Sequence, residues 1–283
     1  MNFSAERLLA HTFPDIRHRY QERDAILYAL GVGLGSSPTA PEDLGYVYEK
    51  SLRVLPTMAV TLASPGMWVR APELAIAWEK LLHVAQKATF HAALPSQGEV
   101  IGRARIASVT DLGKERGAEV IVERTIADAA SGTHLCTVEQ VLRLRGNGGF
   151  SATPAPRPPS SPLPERAPDQ RVSFATSPRA ALIYRLSGDW NPLHADPDIA
   201  TRGGFARPIL HGLASYGVAG WVVLKTFADA DAARLQSLSL RFASPVMPGD
   251  TLDFEFWQLA GDIVFRALID GRTVLDQGRA TLV

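Results

Sequence analysis

The sequence has one cysteine, no excess of charge of either sign and no long apolar run. Cys136 is the only cysteine among 283 residues. This excludes an intramolecular disulfide and a metal site built on several cysteines, and it is typical of a reducing compartment. The 29 basic and 29 acidic residues cancel, so no overall field attracts nucleic acid or an anionic membrane. An anionic ligand must therefore be held by local contacts.

The sequence also lacks the pattern of a targeting or membrane segment. The segment from Met1 to Arg7 meets charge within its first turns and has no apolar stretch, so no export is expected. The most apolar later segment, residues 212–224, is interrupted by Ser215 and Tyr216 and is shorter than the roughly 18 to 20 residues of a membrane span. We therefore predict a cytoplasmic protein that binds neither membrane nor nucleic acid.

Prolines are concentrated in one short stretch near the middle of the chain. Seven of the 20 prolines lie between Thr153 and Pro168. A segment with so few backbone donors and so little apolar surface is typical of an extended linker. We predict an N-terminal domain over residues 1–150, the linker over 151–170 and a C-terminal domain over 171–283.

The two predicted domains carry a faint internal repeat. Residues 26–30 match residues 182–186, and both segments are predicted to be helical, with Gly188 ending the second helix. In each half three strand-like runs joined by tight turns follow, over 100–144 and 252–283. This pattern predicts an α+β double hotdog, in which two antiparallel sheets each wrap around a central helix. The alternative is chance similarity between two α+β domains.

The densest group of polar side chains follows the second repeat helix. Asp189, Asn191 and His194 lie within six residues, on a loop that Gly188 and Pro192 keep from continuing as a helix. A carboxylate and an imidazole at this spacing suit an acid/base pair acting on one small molecule such as water, because imidazole exchanges protons near neutral pH. The alternative is an Asx-type turn with a surface histidine.

A second polar element precedes an apolar helix predicted over residues 213–226. Gly212 stands at its start, where the absence of a Cβ lets a ligand approach the free backbone N–H groups. The positive end of the helix dipole there would favour an oxyanion. The alternative is that His211 and Gly212 form only a helix cap with a satisfied core histidine.

Two motifs resemble the signatures of MaoC-like (R)-specific enoyl-CoA hydratases. Residues 184–194 read Tyr-Arg-Leu-Ser-Gly-Asp-Trp-Asn-Pro-Leu-His, and residues 207–213 read Arg-Pro-Ile-Leu-His-Gly-Leu. The hydratase unit of peroxisomal multifunctional enzyme is similar to this chain also over residues 23–33, 54–57 and 241–249. The resemblance therefore extends over nearly the whole sequence.

The resemblance implies that only the second half of a double hotdog keeps the catalytic loop. The positions equivalent to Asp189 and His194 are Gly33 and Pro38 in the first half, which allows one active site per chain. The resemblance further implies that the first half makes room for the acyl chain of the substrate.

Carried over to matching residues, the family mechanism has Asp189 and His194 bind a water that adds to C3 of a trans-2-enoyl thioester, giving an (R)-3-hydroxyacyl-CoA. The Gly212 N–H receives the thioester oxygen, and Asn191 positions the water or the catalytic pair. Hydration of a conjugated thioester needs only proton transfer and oxyanion stabilisation. We therefore expect no metal and no redox cofactor. The histidines outside the motifs also show no metal-ligand spacing; they are His11, His18, His91 and His134.

The resemblance also implies contacts with the acyl-CoA substrate. The residues expected to make them are His83, Lys114, Trp190, Pro192, Leu193 and Phe242. His83 begins a His-Val-Ala-Gln segment where relatives have His-Gly-Glu-Gln, a departure that bears on chain-length preference. For Lys114 a solvated turn lysine is an equal alternative to a CoA phosphate contact. Relatives commonly form homodimers, so a homodimer is expected here.

Two other functions remain open at this stage. A hotdog thioesterase would share the fold and the CoA ligand but would direct water at the thioester carbonyl. A non-catalytic acyl-CoA-binding subunit would need neither Asp189 nor His194 for its role. The Asp-x-Asn-Pro-x-His loop favours the hydratase over both.

Overall fold

The structure is a computed structural model that describes residues 2–37, 39–156 and 162–283. Pro38, and the part of the predicted linker over 157–161, lie outside the described residues. The helices are α1 (Ala5–Leu9), α2 (Glu22–Gly31), α3 (Pro41–Val47), α4 (Ala180–Tyr184), α5 (Pro197–Arg202) and α6 (Gly212–Phe227). The strands are β1 (Ile16–Tyr20), β2 (Leu81–Phe90), β3 (Gly98–Asp111), β4 (Ala118–Asp128), β5 (His134–Leu144), β6 (Gln170–Ala175), β7 (Leu235–Phe242), β8 (Thr251–Leu259), β9 (Asp262–Ile269) and β10 (Arg272–Leu282).

The described strands form one antiparallel sheet in the order β1-β3-β4-β5-β2-β7-β10-β9-β8-β6. β1 to β5 precede the proline-rich stretch in sequence and β6 to β10 follow it, so each half contributes five adjacent strands. The halves meet at β2 and β7, which pair from Ala85 with Arg241 to Thr89 with Ser237. The predicted double hotdog is confirmed, and its two sheets are joined edge to edge.

Both predicted three-stranded meanders are present, as β3-β4-β5 and as β8-β9-β10. β4 shows the expected alternation, since Val120, Val122, Arg124 and Ile126 are buried while the residues that alternate with them are half-buried. This period of two is what a sheet with one face on a core requires.

The two halves differ in the buried segment that packs against their strands. In the second half α6 is buried from Ala214 to Leu224, because a helix that is apolar on every side packs in a core. In the first half the fully buried 3-10 segment Pro56–Val60 contacts α6, β2 and β5. The second half therefore contains the long central helix.

The two repeat helices, α2 and α4, pack against each other across the halves. They approach closely at Gly31, where a Cβ would lie 3.1 Å from the Cα of Tyr184. The rings of Tyr28 and Tyr184 are 5.8 Å apart, and both belong to an apolar cluster that includes residues of both halves. The segment that precedes the polar loop is thus anchored in a shared core.

No helix among the described residues is long and apolar enough to span a membrane.

Candidate active site

The loop that carries Asp189 begins where the core helix α4 ends. α4 continues into the 3-10 turn Arg185–Ser187, which ends at Gly188 with a φ of 109°. Because this backbone conformation favours glycine, Gly188 ends the helix as predicted. Asp189, the next residue, is half-buried.

Asn191 holds the loop in shape through its side chain. Its Oδ1 accepts a hydrogen bond from the Leu193 N–H at 3.1 Å and thereby caps the 3-10 turn Pro192–His194. Its own N–H donates to Asp189 Oδ1 at 3.2 Å. The loop therefore does contain Asx turns, but His194 at its end is buried and is not the surface histidine of the alternative interpretation.

His211 completes the cluster, and the sequence pattern indicated it only as part of a cap. It is the N-cap residue of α6 and is 1% exposed. Its ring stacks on that of His194, with centroids 3.7 Å apart, and its Nε2 donates to the Asp189 carbonyl at 3.2 Å. The one feature of the sequence that pointed to His211 was its position directly before Gly212.

The environment keeps both imidazoles neutral at neutral pH. The Nδ1 of His194 donates to the Ile209 carbonyl at 2.9 Å, which leaves Nε2 with a lone pair in the neutral ring. Burial lowers the pKa of His194, and the Ile209 carbonyl and the Asp189 charge offset this only in part. Burial and the adjacent His194 lower the pKa of His211 to about 4.

Gly212 is the first residue of α6, and its N–H has no acceptor among the residues that the structure describes. A Cβ at this position would lie 3.3 Å from the ring of Phe242. The Phe242 ring in turn meets the His83 ring edge to face, with centroids 5.1 Å apart. These contacts bring the predicted residues Gly212, Phe242 and His83 to one place.

His83 lies on β2 at an irregularity in the pairing with β5, between His83 and Ala85. Its Nε2 is buried without a partner among the described residues. Burial lowers the pKa of His83 to about 4, while the nearby charge of Asp189 acts in the opposite direction. The first half thus contributes a neutral imidazole near Asp189 of the second half.

Trp190, Pro192 and Leu193 line the outer side of the loop. Trp190 is 57% exposed, and the Arg185 guanidinium lies 4.6 Å from the centroid of its ring. Pro192 is also exposed, and Leu193 is half-buried. An exposed apolar surface beside the cluster suits contact with a ligand.

The structure does not bring Lys114 to the cluster. It is exposed in the turn between β3 and β4, and β3 is three strands away from β2, about 14 Å at the usual strand spacing. Its contact with a CoA phosphate stays a prediction.

The arrangement brings one carboxylate and two imidazoles close together. One carboxylate oxygen of Asp189 and one ring nitrogen each of His194 and His211 lie within 4.8 Å of one another. With both rings neutral, these groups can hold and deprotonate a single water. This is the chemistry that the loop pattern predicts.

Fold and site together define a double hotdog that carries an Asp–His cluster next to a helix N-terminus. Residues 18–146 match the MFE-2 hydratase 2 N-terminal domain, and residues 160–277 match the MaoC like domain. The chain belongs to the MaoC-like hydratase family. The single site is consistent with this membership, because the MaoC like match falls on the half that carries Asp189 and His194.

Several relatives and one solved structure are similar over most of the chain. 3-Hydroxyacyl-thioester dehydratase Y of Mycobacterium tuberculosis is 38% identical and covers 93% of each chain. The peroxisomal enoyl-CoA hydratase 2 of Arabidopsis thaliana is 35% identical over 95% of this chain and 92% of that protein. Peroxisomal multifunctional enzyme type 2 of Mus musculus is 36% identical over 97% of this chain but only 38% of its own length. A MaoC-like dehydratase from Phytophthora capsici superposes with a TM-score of 0.85 at 31% identity, over 98% of both chains.

Proposed function

We propose that this chain is an (R)-specific 2-enoyl-CoA hydratase. It is a hydro-lyase that reversibly adds water in the syn sense to a trans-2-enoyl-CoA and forms an (R)-3-hydroxyacyl-CoA. The observation that carries the proposal is that Asp189 and His194 lie close together beside the N–H of Gly212, which has no acceptor among the described residues. The names of the relatives, which include enoyl-CoA hydratases and a 3-hydroxyacyl-thioester dehydratase, support acyl-CoA as the substrate class.

In the proposed reaction the water donates its hydrogens to the Asp189 carboxylate and to His194 Nε2. As the water oxygen bonds to C3, one of the two groups takes a proton from the water and then returns it to C2 on the same face of the double bond, so that the elements of one water are added. The Ile209 carbonyl, 2.9 Å from Nδ1, fixes the tautomer that leaves Nε2 basic. Asn191 acts indirectly, because its amide holds the loop that carries both groups.

The thioester oxygen gains negative charge while the C3–O bond forms. In the proposal it accepts a hydrogen bond from the Gly212 N–H at the N-terminus of the 16-residue helix α6. The helix dipole and the free N–H both favour an oxyanion there. Phe242, which faces Gly212, packs against the thioester and leaves only a tight space of 3.3 Å for a Cβ at that position.

We propose that the acyl chain enters a cavity between the halves. Its volume is about 130 Å³, and it is lined by His18, Asp24, Leu27, Met58, Thr61 and Leu62 of the first half and by Leu186, Ser187 and Gly188 of the second. Gly188 immediately precedes Asp189, so the cavity adjoins the catalytic loop. A cavity of 150 Å³ holds benzene, which indicates space here for roughly six non-hydrogen atoms beyond the reacting carbons.

The proposal includes no metal or redox cofactor, because proton transfer and oxyanion stabilisation complete the reaction.

A homodimer and a cytoplasmic location are also part of the proposal. Sedimentation equilibrium of the purified protein tests the first, where a mass of one chain would exclude the dimer. Imaging of the tagged protein in its own cell tests the second, and an organelle pattern like that implied by the names of the peroxisomal relatives would exclude it.

Incubation with crotonyl-CoA tests the function. We expect the enone absorbance to fall without release of thiol. Free CoA with the double bond intact would instead identify a thioesterase. Binding of crotonyl-CoA without any conversion would identify a non-catalytic subunit.

A further inference from the structure

Asp189, His194 and His211 bring one carboxylate oxygen and one nitrogen of each ring to within 4.8 Å of one another. His194 donates from Nδ1 to the Ile209 carbonyl, and His211 donates from Nε2 to the Asp189 carbonyl. Because a carbonyl only accepts, each neutral ring keeps a lone pair on its other nitrogen. The free nitrogen of His211 is buried and has no partner among the described residues. Metal-binding histidines are typically oriented in this way, with the second ring nitrogen donating to a carbonyl or carboxylate.

Two imidazoles and a carboxylate form a familiar donor set for transition metals. It serves in zinc enzymes that keep a fourth position open, and in facial iron sites. The ligand atoms lie within 4.8 Å of one another, whereas those around a tetrahedral zinc ion are about 3.4 Å apart at the usual bond lengths. Asp189, half-buried on a loop, can move to complete the approach, and the stacked rings of His194 and His211 must turn so that each nitrogen meets the ion in its own ring plane.

We propose that Asp189, His194 and His211 bind one divalent transition-metal ion, for which zinc is the best match, and that the bound ion inhibits the enzyme. The ion takes the electron pairs of Asp189 and His194 with which the proposed mechanism holds and deprotonates water. Metal binding follows from the donor set alone, while inhibition rests on the proposed function.

A second histidine pair provides a matched control. The rings of His91 and His134 lie 4.2 Å apart at the ends of β2 and β5, and Thr137 Oγ1 is within hydrogen-bond distance of both. No third metal ligand joins this pair among the described residues. If zinc bound simply to neighbouring histidines, this pair would bind it as well.

Titration calorimetry with zinc chloride tests the site on the full chain. We expect one ion per chain for the wild type and for a His91→Gln/His134→Gln double variant, and at least tenfold weaker binding for Asp189→Asn and His211→Gln. Wild-type affinity in both site variants, or loss of binding only in the double variant, would overturn the proposal. Circular dichroism checks folding, and Asp189→Asn, which alters a half-buried loop residue, still decides the question if His211→Gln fails to fold.

Hydration of crotonyl-CoA with and without zinc tests inhibition. We expect zinc to abolish the activity, EDTA to restore it, and EDTA alone to leave it unchanged. Undiminished turnover with the ion bound would refute the inhibitory role. If the protein hydrates no enoyl-CoA at all, the proposed function fails, yet calorimetry still decides whether the metal site exists.

Discussion

In the proposed mechanism, Asp189 and His194 are the residues on which the chemistry depends most directly. Asp189→Asn removes the charge but keeps the shape, and His194→Ala removes the Nε2 acceptor. Because general acid–base groups contribute about 10²- to 10⁴-fold to rate, each variant is expected to lower kcat for crotonyl-CoA hydration at least about 100-fold. Steady-state kinetics checks this.

The appropriate control for these variants is binding. KM for crotonyl-CoA, and the melting temperature, should change little in Asp189→Asn, since the Gly212 N–H and the acyl cavity remain. A variant of either residue with near wild-type kcat would contradict the assignment and would favour the role of a binding subunit.

At the residue scale, the residues alone predicted the part of the candidate site whose pattern is local. His83 and Phe242 were predicted from the resemblance. Asp189, Asn191 and His194 stand within six residues, and proline and glycine set the loop between them. The stacking of His211 on His194 joins side chains 17 positions apart in sequence, and it depends on where α6 begins relative to the loop. A local pattern does not contain that information, so His211 was predicted only as part of a cap.

At the scale of elements, Gly188 ends the 3-10 turn that follows α4. It thereby determines where the loop that carries Asp189 starts. Gly188 has a φ of 109°, and a Cβ there would have no neighbour within 4 Å. The cost of Gly188→Ala is therefore backbone strain without a steric clash. This strain is about 1 to 2 kcal/mol for a left-handed residue. We expect a comparable loss in the free energy of unfolding and at least a tenfold loss in kcat, because Asp189 is displaced.

Gly261→Ala is the matched control for this prediction. Gly261 has a φ of 84° and equally open space around a Cβ, but it lies in the turn between β8 and β9. It should lose similar stability in urea denaturation and keep wild-type kcat. Equal effects of both substitutions on kcat would show that activity does not depend on the backbone conformation at Gly188.

The helix α2 offers a test of the acyl cavity. Leu27 lines the cavity, so Leu27→Trp should fill part of its volume of about 130 Å³. We expect at least a tenfold drop in kcat/KM for 2-decenoyl-CoA and little change for crotonyl-CoA, whose chain ends one carbon beyond C3. Leu30→Trp, at an exposed position of the same helix, is the control, and an equal loss for both substrates in Leu27→Trp would contradict the cavity assignment.

At the scale of the whole molecule, the buried His194 and His211 and the half-buried His83 couple stability to pH. Burial lowers the pKa of His83 and of His211 to about 4, and it also lowers that of His194. The unfolded chain protonates these groups near the ordinary value of 6.5, so it binds more protons than the folded chain below that pH. Stability is therefore full above pH 6.5 and is lost as the pH falls towards 4.

We expect the free energy of unfolding to decrease between pH 6.5 and pH 5 by up to about 1.4 kcal/mol per pH unit for each of these histidines. Urea denaturation at pH 7, 6 and 5 measures it. His211→Asn should show a shallower dependence than the wild type. A stability that is constant over this range would mean that the histidines are accessible to protons in the folded state.

The global arrangement was predictable to the extent that it repeats local patterns. A repeated helix, at 26–30 and 182–186, followed each time by a meander predicted the double hotdog, and both helices and both meanders are present. The pairing of β2 with β7, which joins the halves into one sheet, involves residues about 150 positions apart and leaves no local signal. The same holds for Pro56–Val60, a buried segment too short to show a helical period.

Hydration of crotonyl-CoA in deuterated water, followed by stereochemical analysis of the product at C2 and C3, tests the central claim most directly. If Asp189 and His194 hold the water on the face of the double bond that also receives the proton, the hydroxyl has the R configuration at C3 and the deuterium at C2 has added on the same face. An S configuration at C3, or deuterium added on the opposite face, would contradict the account.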